Sequence, residues 1–214
     1  MAQVDDTVGL ARGAFHWRAP FTLELRARVS TADLPGTWGF GVWNDPFSAG
    51  LGVGGTSARL PALPNAAWFF YASPPNHLAF RDGHPAQGFL AATFSAPRVP
   101  SALTIFGLPG VPLLALPAFA RLARGLLARM LKEDAARLDL DVTDWHDYRM
   151  EWQEKSCRFD VDGRMVFETA VSPRGPLGLV IWVDNQYAAF PPDGRLRSGS
   201  LAGPAAWMEV ELNS

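Results

Sequence analysis

The chain has 214 residues, 48% of them hydrophobic, and a formal charge of −2. That length suits one domain, 1–214, built around a substantial core. A near-neutral chain lacks the basic stripe of nucleic-acid binders, so no nucleic-acid partner is expected. The single cysteine, Cys157, excludes an internal disulfide and a zinc site of several thiolates; no cofactor or metal is expected, and Cys157 reads as a small buried residue.

The first residues, MAQVDDTVGLARGAF, place acids where a secretory signal needs a basic region and contain no apolar core of about seven residues, so a cytoplasmic protein is expected. Phe21, Leu23, Leu25, Ala27 and Val29 alternate with Thr22, Glu24, Arg26 and Arg28, the pattern of an edge or near-edge strand with one dry face. In the next strand Trp38, Phe40 and Val42 alternate with Gly39, Gly41 and Trp43, which leaves room above one face. Gly50, Gly52 and Gly55 satisfy G-x-G-x-x-G, but Pro61 and Pro64 stand where a dinucleotide-binding helix would run, so a glycine loop is expected. Trp68 to Tyr71 forms an aromatic strand closed by Pro74-Pro75. Asp82-Gly83 predicts a hairpin turn between His77–Phe80 and a strand around Phe89–Phe94. His77 and His84 flank that turn, yet no histidine has a ligand partner at metal-site spacing.

Ala102 to Ala120 carries no charged residue. Pro109, Pro112 and Pro117 interrupt any membrane-spanning helix. A helix is expected from near Pro117, with Phe119, Leu122, Ala123, Leu126, Leu127, Met130 and Leu131 at helical spacing and Arg121, Arg124, Arg129 and Lys132 elsewhere. This insertion, about 102–138, has three readings: a helix packed on the outside of the domain, a lid giving a cleft an apolar roof, or an amphipathic helix making weak membrane-surface contact.

From Asp144 to Tyr187 the pattern is clearest. Tyr148, Met150 and Trp152 alternate with Arg149, Glu151 and Gln153; Phe159 and Val161 follow, and Asp162-Gly163 supplies the positive-φ turn that returns the chain through Met165–Phe167. Leu177 to Val183 is an apolar run suited to a strand covered on both faces. These segments resemble the concanavalin A-like lectin/glucanase superfamily, most nearly glycoside hydrolase family 16, through His146, Tyr148, Trp152, Phe159, Val161, Asp162 and Gly163, which match H-x-Y-x-x-x-W and F-x-V-D-G. The upstream FTLELRARV and LPGTWGFGVW are similar to the family's earlier strands. The resemblance implies an all-β fold, a two-sheet antiparallel jelly-roll sandwich with an inserted amphipathic helix, whose first and last strands, around Leu23 and Met208–Leu212, lie side by side. It also implies a catalytic E-x-D-x-x-E on the strand that here reads Ala66–Ser73, which contains no acid; between Asp45 and Glu133 the only carboxylate is Asp82. Retaining hydrolysis needs a paired nucleophile and acid, so that chemistry is not expected.

The polar constellation is Trp182, Asp184, Asn185, Gln186 and Tyr187, with Trp182, Asp184 and Gln186 sharing a face by alternation. Strand-end and turn chemistry is the plainer account of the same residues. Trp43 and Asp45 form a similar aromatic-plus-acid pair. A site lined by Trp43, Asp45, Trp182, Asp184 and Gln186, with Trp68 or Tyr71 contributing, would take a small-molecule or glycan ligand with an apolar part. Asp45 and Asp184 are the catalytic candidates should the cleft house an enzyme acting on an apolar metabolite, and a membrane-surface-associated protein is the third reading.

Overall fold

A computed structural model describes residues 2–46, 59, 62–97 and 113–212. The Gly50–Gly55 stretch, Pro61, and the first part of the insertion with Pro109 and Pro112 lie outside them. Among the described residues the strands are β1 (Ala2–Asp5), β2 (Phe21–Val29), β3 (Thr37–Trp43), β4 (Ala66–Ala72), β5 (Gly88–Ser95), β6 (Lys132–Arg137), β7 (His146–Trp152), β8 (Cys157–Val161), β9 (Arg164–Thr169), β10 (Gly178–Asp184), β11 (Gln186–Ala189), β12 (Arg197–Ser200) and β13 (Met208–Leu212); the helix α1 spans Pro117–Met130. They build two antiparallel sheets, β1-β10-β3-β4-β5-β6 and β13-β2-β7-β8-β9, with β11 and β12 as a separate ribbon. The fold is the all-β jelly-roll sandwich with one inserted helix.

The core lies between the sheets and follows the alternation. Leu23, Leu25, Ala27 and Val29 of β2 face Trp38, Phe40 and Val42 of β3, with Tyr148, Met150, Trp152 and Phe159 completing the layer. Rings meet edge to face: Phe69 lies 5.2 Å from Phe159 at 88°, and Phe40 lies 5.0 Å from Tyr148 at 63°. Burial of this kind, at about 25 cal/mol per Å² of apolar surface, is what holds the sheets face to face. β13 pairs with β2 from Met208↔Val29 to Leu212↔Leu25, so the last strand does lie beside the first long one.

The family-like motif has a structural use. Asp162 (φ 51°) and Gly163 (φ 73°) make the left-handed turn between β8 and β9. The Asp162 carboxylate accepts from His146 Nδ1 at 2.7 Å and from the Asp147 N–H at 3.0 Å, while His146 Nε2 lies 2.9 Å from the Asp141 carbonyl. Burial lowers the His146 pKa, but these two acceptors outweigh it and hold the ring above its usual value.

Three expectations are corrected. His77–Phe80 is not a strand: His77 makes one parallel bridge to Ala189, and the chain to Gln87 is irregular, so Asp82-Gly83 turns a loop rather than a hairpin. Lys132–Arg137 does not belong to the insertion's cover; it is β6, paired with β5 from Ser95↔Lys132 to Leu90↔Arg137. Backbone hydrogen bonding along an open sheet edge overrides the weak helical preference of KEDAAR. Finally, α1 begins at Pro117 as expected, but it does not bury its leucines. Ala120 and Arg124 are the buried residues of the helix, while Phe119, Leu122, Leu126 and Met130 are exposed. Arg124 Nη1 donates to the carbonyls of Ala79 (2.7 Å) and Phe190 (2.6 Å), and Nη2 to Asp82 Oδ1 (3.0 Å). The irregular loop leaves carbonyls without a ladder, and a guanidinium with five donors satisfies them where a leucine would not. No helix among the described residues is long and apolar enough to cross a membrane.

Candidate functional site

The outer face of the six-stranded sheet carries large rings opposite glycines. Across the ladders Trp182 pairs with Gly39, Trp43 with Gly178, and Trp68 with Gly41. A Cβ on Gly39 would lie 2.5 Å from the Phe69 carbonyl oxygen and 2.7 Å from Trp182 Cη2. The room left by the small face of β3 is therefore occupied, and an indole lies over it. Trp43 and Trp182 are parallel within 6° at a centroid distance of 6.5 Å; Trp68 stands 5.4 Å from Trp182 at 55° and 6.2 Å from Trp43 at 49°.

Above these rings is a cavity of about 290 Å³ lined by Trp43, Trp68, Phe70, Phe94 and Trp182 from the sheet, by Leu78 and Phe80 from the loop after β4, and by Leu127 from α1. The loop and helix are fastened together. Glu133 accepts from the N–H groups of Phe80 and Arg81, and Arg81 reaches the carbonyls of Ala128 (3.4 Å) and Leu131 (3.2 Å) beside the Arg124 contacts.

Polar lining is sparse: Gln3, Thr37, Asn76, Asp184, Gln186 and Tyr187, of which Thr37, Asp184 and Gln186 are joined to one another beside Trp182. Trp182 Nε1 donates to Thr37 Oγ1 at 2.9 Å, and Thr37 Oγ1 donates to Asp184 Oδ1 at 3.0 Å; that same oxygen accepts the Gln186 N–H at 3.0 Å. Burial pushes the Asp184 pKa up, and the bonds from Gln186 and Thr37 pull it only part of the way back. Asn76 is fully engaged with the backbone of Gly36, Ser73 and Ala188. Among the described residues, Gln186 Oε1 is a buried acceptor and Trp68 Nε1 a buried donor without a hydrogen-bond partner.

Of the residues expected at the site, Trp43, Trp68, Trp182, Asp184 and Gln186 line this one cavity. Asp45 does not. β3 ends at Trp43, and Asp45 takes φ 46°, which breaks the alternation that would have set its side chain beside Trp43. Its carboxylate is fully buried and ion-paired with Arg59, and Arg12 donates to its carbonyl. Burial raises its pKa and Arg59 opposes the rise. An acid–base pair of Asp45 and Asp184 in one cavity is thereby corrected. Tyr71 is also placed elsewhere: it shares the inward parity of Phe69 and stacks on Trp38 at 5.9 Å. Asn185 does the turn work anticipated for this stretch, with Nδ2 donating to the Leu201 carbonyl at 3.0 Å.

Phe70, Phe94 and Thr37 were not anticipated. Phe70 shares parity with Trp68, and Thr37 with Gly39 and Trp43, so strict alternation would have found both. Leu78 and Phe80 sit on an irregular loop and gave no periodic signal. Asp184 is the only carboxylate among the described lining residues, whereas glycoside hydrolysis by either the retaining or the inverting route uses two.

No family model matches the chain, and no curated protein matches its sequence. Among solved structures it is similar to the laminarinase catalytic domain from Thermotoga maritima (12% identity over 75% of this chain and 51% of that one, TM-score 0.35). It is likewise similar to a kappa-carrageenase from Zobellia galactanivorans (13%, 75% and 51%, 0.39) and to the Bacillus licheniformis beta-glucanase (11%, 75% and 52%, 0.34). The chain spans about half the length of each. At these identities and TM-scores the likeness carries no statement about activity.

Proposed function

We propose that the protein is a non-hydrolytic binding protein whose cavity takes a glycan or glycoconjugate with an apolar part. The observation that carries this reading is the cavity's make-up: three tryptophans and three phenylalanines line it, and the single carboxylate among its described lining residues sits beside Thr37 and Gln186. Indole faces stack on the C–H faces of a sugar ring and equally cover an alkyl or polycyclic portion, while the polar cluster accepts hydroxyl hydrogens. The loop and α1 form the apolar roof over that arrangement.

The test is calorimetric titration of the purified chain with octyl glucoside, with glucose and with octanol, alongside an assay for reducing sugar on laminarin. Octyl glucoside is expected to bind more tightly than either half, and Trp182→Ala to weaken it roughly two- to thirteenfold, since an aromatic contact of this kind contributes about 0.5–1.5 kcal/mol beyond its area. Absence of binding, or release of sugar from laminarin by the wild-type chain, overturns the reading. A second reading, an enzyme using Asp184 alone as a proton donor, is favoured by that carboxyl's raised pKa; turnover of a bound ligand abolished in Asp184→Asn would establish it.

A further inference from the structure

With about 100° between successive residues, α1 presents three adjoining faces. Ala120, Arg124 and the following Leu131 are buried against the sandwich. Beside them Leu116, Phe119, Leu122, Leu126 and Met130 form a stripe, each 46–61% exposed. On its far side stand Arg121 and Arg129, both exposed, and exposed Lys132 follows. Pro117–Met130 contains no acid, although the whole chain carries −2. The nearby acids are engaged: Asp82 holds Arg124, Glu133 is buried on the loop amides, and Asp193 faces Arg197 at 3.9 Å.

We propose that α1 docks the protein side-on onto an anionic lipid surface, with the stripe in the headgroup–acyl boundary and Arg129, which adjoins it, and Lys132 on the phosphates. Helical period, exposure and charge sign agree on this. An apolar stripe with basic residues beside it meets both an apolar layer and a layer of opposite charge at such a surface. A second copy of the chain fits less well, because it brings the same arginines and no acid to the stripe. Leu127, beside the stripe, also lines the cavity. Docking therefore places a cavity wall next to the lipid; that consequence rests on the glycoconjugate reading, whereas the docking itself does not.

The experiment is co-sedimentation of the full chain with vesicles of phosphatidylcholine alone and of phosphatidylcholine with phosphatidylglycerol, at low and high salt. Binding to the mixed vesicles only, weakened by salt, is expected. Arg129→Gln should lower the partition coefficient about fivefold, and Leu122→Gln/Leu126→Gln on the order of tenfold or more. These side chains stand in solvent, so melting temperature should stay unchanged and serve as the folding control. The proposal fails if neither vesicle sediments the protein, or if Leu122→Gln/Leu126→Gln binds as well as wild type. It also fails if light scattering shows a dimer that this double variant dissolves while vesicles bind nothing, for then a second copy covers the stripe. Octyl glucoside titration in vesicle-free solution is scored separately, so the cavity reading and the docking stand or fall independently.

Discussion

The two faces of the six-stranded sheet carry the same kind of residue to different ends. On the inner face Trp38, Phe40, Phe69 and Phe89 belong to one buried cluster with Tyr148 and Phe159 of the opposite sheet, and rings from the two sheets meet within about 5–6 Å. On the outer face Trp43, Trp68, Trp182, Phe70 and Phe94 meet a loop and one helix, and about 290 Å³ stays open. A second sheet presents a continuous pleated surface that interdigitates with its partner about 10 Å away. A single helix fixed by an arginine cannot fill the same footprint. What lies across from a ring, rather than the ring itself, decides whether it becomes core or lining.

The comparison predicts unequal costs for equal truncations. Trp38→Ala, at a residue 1% exposed in the closed layer, should cost about 3–5 kcal/mol in urea unfolding. Trp182→Ala should cost clearly less, because that indole already borders an open cavity. Equal losses would break the distinction between the faces. Gly39→Ala tests the junction between them: its Cβ would strike the Phe69 carbonyl and Trp182 Cη2, so a loss of about 1–3 kcal/mol is expected together with a change in tryptophan fluorescence as Trp182 is displaced. An unchanged spectrum would mean that Trp182 does not depend on the bare strand beneath it.

The smallest expected effect concerns pH and belongs to the outer face alone. Asp184 has a folded pKa raised above the usual 3.8. A raised value means that the folded state holds the proton more tightly than the unfolded chain. Its stabilising contribution is thus fully present below 3.8 and is lost as pH rises through the folded value. Measured against Asp184→Asn, the wild type should gain stability as pH falls from neutral towards that window and lose it on the way back. A pH-independent difference would show that Thr37 and the Gln186 N–H fully offset the burial.

Period-two alternation in one segment at a time was enough to place β2, β3, β7 and β8, short aromatic or apolar runs placed β4 and β10, and Asp162-Gly163 marked its turn, because strand patterning and positive-φ chemistry act over a few residues. The same parity put Trp182, Asp184 and Gln186 on one side, and the cavity lies there. It misled at Asp45, where the strand had already ended and one left-handed residue reset the direction, a turn whose marker was the residue type of Asn44-Asp45-Pro46 rather than the alternation. The fate of Arg124 was beyond any such reading, since its burial depends on carbonyls of Ala79 and Phe190, 45 and 66 positions away in the chain. KEDAAR became β6 for a like reason, the open edge of β5. The sequence by itself determined which residues alternate, turn and repeat at helical spacing, because those preferences are set by neighbouring backbone atoms. Only the tertiary structure decided which face of the sheet was sealed and which left hollow, because that depends on the shape of whatever distant element comes to lie across it.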